Sequence, residues 1–122
     1  MTRILLLDDV LDAVKLGKRV LQKEGREVVG FTEEEDALAY ARRHKIDLAV
    51  MDIKLKKMNG IQVLEKLKKI SPDMDAIILT AYPTPETVRE ARRFGVNEYC
   101  VKPIDNDALE EKVSKLLALQ QQ

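Results

Sequence analysis

"RILLLDDV" occupies residues 3–10. Ile4 through Leu7 form an uninterrupted apolar run, and two adjacent carboxylates, Asp8 and Asp9, follow at once. A short continuous apolar run suits a strand covered on both faces. Two like charges at the end of such a strand repel each other unless something there uses them. The arrangement recurs along the chain: Leu48–Met51 runs into Asp52, Ala76–Leu79 into Thr80, and the weaker run Tyr99–Val101 into Lys102. Val28–Phe31 is a fifth run. The polar flanks of this run and of Tyr99–Val101 predict sheet edges.

Helical patterns fill the intervals. Leu109, Val113, Leu116 and Leu117 make an apolar stripe of helical period, as do Ile61, Leu64 and Leu67. Val14, Gly17 and Leu21 give a less regular one. Thr32 with Glu35 reads as a capping box ahead of "EEDALAYARR", and Thr84 as a cap with Pro85 in the first helical position. Gly25 and Gly95 stand where helices should stop. The order is therefore β-α repeated five times. Such alternation predicts an α/β fold, with a parallel sheet, helices on both faces and right-handed crossovers.

Parallel strands bring their carboxyl ends to one side, where open α/β sheets bind ligands. Asp8, Asp9, Asp52, Thr80 and Lys102 should thus converge. At ~4 Å and an effective dielectric of ~20, each like-charged pair among the carboxylates costs about 4 kcal/mol. A divalent cation cancels that surplus, and an all-oxygen site completed by water suits Mg²⁺, with Mn²⁺ as a substitute. Beside such an ion, the Lys102 ammonium and the Thr80 hydroxyl suit phosphoryl oxygens, and an aspartate can accept a phosphoryl group as an acyl phosphate.

Composition narrows the classes. A chain of 122 residues with 45% hydrophobic residues is the size of one domain with a normal core. Twenty-one basic and twenty-one acidic side chains cancel, so the basic stripe of a nucleic-acid binder is not expected. Cys100 alone cannot build a disulfide framework or a zinc site, and it reads as core, with His44 in solvent at a helix end. No apolar run is long enough to span a membrane, and an apolar strand beginning three residues in leaves no room for a signal peptide. The expectation is a soluble, cytoplasmic domain over residues 1–119. Residues 120–122, "QQQ", read as a polar tail or the start of a linker.

Taken in order, these segments resemble the receiver domain of bacterial two-component response regulators, from about Arg3 to Leu119. "LLLDDV" resembles the acidic pair, "AVMDIKL" the phosphoacceptor strand end, "MNG" at Met58–Gly60 the segment beyond it, and "ILTAY" and "VNEYCVKPID" the ends of the last two strands. The resemblance implies a flavodoxin-like (βα)5 three-layer sandwich with a five-stranded parallel sheet in the order 2-1-3-4-5. It implies that Asp52 accepts a phosphoryl group from a histidine kinase, a phosphotransfer protein or a small phosphodonor. Asp9, Asp52 and the backbone carbonyl of Lys54 would hold Mg²⁺, with Asp8 acting mainly through water. Lys102 would contact the phosphoryl group, and Thr80 would swing to bond it. Tyr99 would turn inward to fill the space Thr80 leaves. The Lys102–Pro103 bond would be cis. Lys54 and Tyr82 would tune dephosphorylation. The readout would use the helix from Thr84 to Phe94, the Tyr99 strand and the last helix, toward a downstream effector or an attached output domain. The resemblance leaves room for a phosphorylation-dependent homodimer. One departure is Lys56, where the family often has proline; the loop loses a rigid φ and gains a charge.

The resemblance implies a signalling switch rather than a turnover enzyme. The rival readings are a Mg²⁺-dependent phosphatase or phosphotransferase, for which the short connections leave little room for a substrate cap, and an unphosphorylated scaffold on the same fold. A flavin-binding domain of similar topology would need a Ser-, Thr- and Gly-rich loop after the first strand; "DDVLD" would repel the phosphate instead. The lysines at 56, 57, 66, 68 and 69 read as a solvated face.

Overall fold

The structure, a computed structural model, describes residues 1–55 and 59–120. Lys56, Lys57 and Met58, where the missing proline and the first residue of "MNG" fall, lie outside the described residues, as do Gln121 and Gln122 of the tail. The chain alternates β1 (Thr2–Leu7), α1 (Leu11–Leu21), β2 (Arg26–Phe31), α2 (Glu34–Arg43), β3 (Leu48–Asp52), α3 (Gly60–Ile70), β4 (Asp75–Thr80), α4 (Pro85–Arg93), β5 (Glu98–Val101) and α5 (Asn106–Gln120). All pairings are parallel and the strand order is β2-β1-β3-β4-β5, the flavodoxin-like arrangement expected. The two polar-flanked strands, β2 and β5, are its edges.

Each face of the sheet carries its own core, because side chains alternate along a strand. Leu5, Leu7, Ala49, Met51, Ala76 and Ile78 meet α2, α3 and α4 on one side. Ile4, Leu6, Leu48, Val50 and Ile77 meet α1 and α5 on the other. The helical stripes supply the opposing surfaces: Ile61, Leu64 and Leu67 in α3, and Leu109, Val113 and Leu117 in α5, are buried. Cys100 is buried, and His44 caps the end of α2 in solvent.

Helix ends follow the sequence signals unevenly. Thr84 caps α4 with Pro85 next to it. Gly95 ends α4 in a Schellman motif: with φ at +86°, it lets the Val96 N–H reach Ala91 O and its own N–H reach Arg92 O. Gly25 is different. α1 has already stopped at Gln22, and Gly25 (φ +83°) shapes the turn into β2 instead. The Thr32–Glu35 box does not cap α2. Glu33 is still extended (φ −115°, ψ 131°), and its carbonyl opens the helical ladder to the Ala37 N–H, so α2 starts one residue later. A capping box that the sequence reading overlooked joins Asn59 and Gln62 at the start of α3, with bonds of 2.9 and 3.0 Å.

Charge is sorted along the helices. First turns carry Asp12, Glu34, Glu35, Asp36 and Glu86; last turns carry Lys18 and Arg19, Arg42 and Arg43, Lys68 and Lys69, Arg92 and Arg93. Each placement complements its helix dipole.

One network ties the start of β2 to α5. Arg26 donates to both carboxylate oxygens of Glu110 at 2.9 Å and to the Ser114 hydroxyl at 2.9 Å. Ser114 donates to Glu110 at 2.6 Å, and Lys23 pairs with the same carboxylate at 2.8 Å. Burial works against the charged Glu110, but the hydrogen bonds from Arg26, Lys23 and Ser114 outweigh it and hold its pKa down at about 2, against the ordinary 4.5. A depressed carboxylate stabilises the fold above the unfolded pKa and loses that contribution as pH falls through the folded one. Glu110→Gln is therefore expected to cost on the order of 2–3 kcal/mol at pH 7, after discounting for the half-exposed Lys23. Urea unfolding across pH should show the gap between variant and wild type closing from about pH 4.5 down to about 2.

Candidate functional site

The five polar groups at the strand ends meet at the carboxyl edge of the sheet. β1 delivers Asp8, whose N–H donates to Phe31 O at 3.2 Å and so is fixed to the end of β2. Its Oδ1 accepts the Val10 N–H at 2.9 Å, a local turn that leads into α1 and leaves Oδ2 aimed at the site. β3 delivers Asp52. Its Oδ1 accepts the Lys54 N–H at 3.2 Å, and its Oδ2 lies 2.8 Å from Lys102 Nζ. The same ammonium is 3.1 Å from Asp8 Oδ2, so Lys102 bridges two carboxylates that come from different strands. The Lys102 N–H holds Thr80 O at 2.7 Å, and the Lys102–Pro103 bond is cis.

These contacts set the charge state of the lysine. Partial burial pulls the Lys102 pKa down, but hydrogen bonds to Asp52 and Asp8 more than reverse this and leave it above the ordinary lysine value. The ammonium is thus a fixed positive charge. It offsets only one of three aspartates. Asp8, Asp9 and Asp52 each offer a carboxylate oxygen, all within 4.8 Å of one another. An oxygen-only set of this charge fits a hard divalent cation with water in its remaining positions, and fits a soft metal poorly.

The other expected residues surround this cluster. Thr80 is 1% exposed, and its hydroxyl accepts the Tyr82 N–H at 3.1 Å. Tyr82 itself is 78% exposed. With Lys54, Asn59 and Gln62 it lines a hollow of about 600 Å³ that opens onto Asp52 and Lys102. Tyr99 is half-buried against the α2–α3–α4 core, and its hydroxyl lies 2.8 Å from Thr87 Oγ1. The sequence reading did not single out Thr87. Its signal was the "TPET" cap, in which threonine rather than Glu or Gln occupies the third helical position.

Gly60 is the last residue of "MNG". Its N–H donates to Ile53 O at 2.6 Å, pressing the start of α3 onto the end of β3. A Cβ there would lie 2.8 Å from Ile53 Cα and closer still to Asp52 O, both of them backbone.

A family model described as "response regulator receiver domain" matches residues 4–114. The chain belongs to this family. The receiver domain is 34% identical over 115 residues to the transcriptional regulatory protein ZraR of Salmonella typhimurium, covering 94% of this chain and 26% of that protein. It thus spans about a quarter of the length of that curated relative. It is 31% identical over 117 residues to sporulation initiation phosphotransferase F of Bacillus subtilis, covering 96% of this chain and 94% of that one. Among solved structures, a CheY-like receiver domain from Methanospirillum hungatei JF-1 is 33% identical, with a TM-score of 0.94 over 99% of this chain and 97% of that one.

In this receiver domain Gly60→Ala should force the start of α3 away from the Asp52 strand end. The expected loss is on the order of 1–3 kcal/mol, read as a lower urea midpoint at unchanged slope.

Proposed function

We propose that this receiver domain is a phosphoacceptor switch with Asp52 as the acceptor. The observation that carries this reading is the Lys102 ammonium, which lies within hydrogen-bond distance of both Asp52 and Asp8 while Asp9 completes a three-carboxylate cluster. Lys102 orients the Asp52 carboxylate through one oxygen, while the Lys54 N–H steadies the other. That carboxylate attacks the phosphorus of a phosphohistidine on a sensor kinase or phosphotransfer protein. A P–O bond forms, the N–P bond breaks, and the imidazole leaves and takes up a proton. Dephosphorylation reverses the charge change: water attacks phosphorus, inorganic phosphate departs, and the carboxylate is regenerated. Asp8, Asp9, Asp52 and the Lys54 carbonyl would hold Mg²⁺. Bound there, the ion supplies neutralisation of phosphoryl charge.

A phosphoryl group adds about −1.5 to −2 charges and three acceptor oxygens. It draws the Thr80 hydroxyl away from Tyr82, and Lys102 exchanges a carboxylate for a phosphoryl partner. Tyr99 follows Thr80, and the face formed by α4, β5 and α5 carries the change to an effector or output domain. Lys54 and Tyr82, at the rim of the hollow, control the approach of water.

Intact mass after treatment with acetyl phosphate and Mg²⁺ tests the acceptor: one added phosphoryl group on the wild type and none on Asp52→Asn. A second adduct site surviving in the variant would refute the assignment. Mg²⁺ titration tests the cluster, with affinity expected to fall about 10-fold or more in Asp9→Asn as one charged ligand is lost.

A further inference from the structure

A hydrogen bond joins the Tyr99 hydroxyl to Thr87 in the first turn of α4. Thr87 Oγ1 accepts the Thr84 N–H at 3.1 Å and lies 3.0 Å from Thr84 O, to which it can donate. A hydroxyl has one proton. That proton can go to Thr84 O, to Thr84 Oγ1 at 3.0 Å or to the Tyr99 oxygen at 2.8 Å, so in the Thr87–Tyr99 hydrogen bond either hydroxyl can donate. The Thr84 hydroxyl, in turn, accepts the Thr87 N–H at 3.1 Å. Thr87 is thus the third residue of a helix cap and also the hydrogen-bond partner of the Tyr99 hydroxyl.

The contacts close a ring. Thr80 Oγ1 holds the Tyr82 N–H; residues 81–84 lead from there into the Thr84 cap; Thr87 holds Tyr99; and β5 carries Tyr99 on to Lys102, whose N–H returns to Thr80 O. A shift of the Thr80 hydroxyl toward Asp52 breaks the Tyr82 bond and frees the segment that positions the cap. We infer that Thr87 is the positioning residue through which α4 senses Tyr99: its hydroxyl makes the tyrosine and the first helical turn move as one unit. This rests on the phosphoacceptor reading of Asp52, and it adds a named mechanical link that the strand-end residues do not contain.

Four variants separate the link from simple capping. Thr87→Val removes both the cap bond and the tyrosine bond at nearly constant shape. Tyr99→Phe removes only the tyrosine bond, Thr84→Ala removes the Thr84 hydroxyl's contacts with the Thr87 N–H and Oγ1 but leaves the tyrosine bond, and Thr87→Ser keeps the hydroxyl. In the unliganded protein, Thr87→Val and Tyr99→Phe are each expected to raise the unfolding equilibrium constant about 3- to 10-fold, and the double variant to fall short of the product of the two. With Mg²⁺ and beryllofluoride as the phosphoryl mimic, the wild type should change its amide exchange at residues 86–88. Thr87→Val and Tyr99→Phe should bind the mimic yet lose at least two-thirds of that change, whereas Thr84→Ala and Thr87→Ser retain it. Strictly additive stabilities, a full α4 response in Thr87→Val, or an equal loss in Thr84→Ala would each overturn the inference while leaving the acceptor in place. Failure of the wild type to bind beryllofluoride would overturn both.

Discussion

The Lys102 ammonium is the interaction on which the site depends. A parallel sheet brings strand ends together whatever they carry, and here it gathers three carboxylates in one place. At an effective dielectric of ~20, a pair of them ~4 Å apart costs about 4 kcal/mol. The lysine on β5 reaches across to the ends of β1 and β3, at 3.1 and 2.8 Å, and offsets part of that cost. The offset is incomplete by design of the fold. Counted formally, three carboxylates and one ammonium leave an excess of two negative charges, a set that would suit a divalent ion.

The rest of the edge is built to keep these groups in register. Asp8 is fixed through its backbone to Phe31, Ile53 to Leu79, and Lys102 to Thr80, so each functional side chain is positioned by a neighbouring strand. Gly60 lets α3 approach the Asp52 strand end more closely than any side chain would allow. Groups fixed through main-chain bonds lose little further freedom when a ligand arrives, which is the main advantage of a preorganised site.

Much of this was legible in the sequence because it depends on period and position. Apolar runs ending in Asp8, Asp52, Thr80 and Lys102 specify a parallel sheet and its functional edge, and the polar flanks of the second and fifth runs identify the edge strands. Capping was less legible. Thr32 and Asn59 both have a plausible partner three residues on, and only the backbone angles at Glu33 and Asn59 decide which box forms. Contacts between non-neighbouring elements were least legible. Nothing near Thr87 announces a tyrosine twelve residues away, and the pairing of Arg26 with Glu110 spans 84 positions. Such pairs depend on how distant segments meet in three dimensions, which a one-dimensional pattern does not encode.

The sorting of acidic and basic side chains along the helices has a consequence for encounters with other molecules. Parallel strands force α1 to α4 to point the same way, so their cationic last turns collect at the end of the domain remote from the aspartates. On these helices, then, acidic and basic side chains stand at opposite ends of the domain, although the formal charges of the whole chain cancel in number. Such a separation of charge bears on the orientation of a charged molecule near the domain rather than on its net attraction. Since the Debye length is about 8 Å at physiological ionic strength, that guidance operates only over the final approach, and added salt abolishes it without altering net charge.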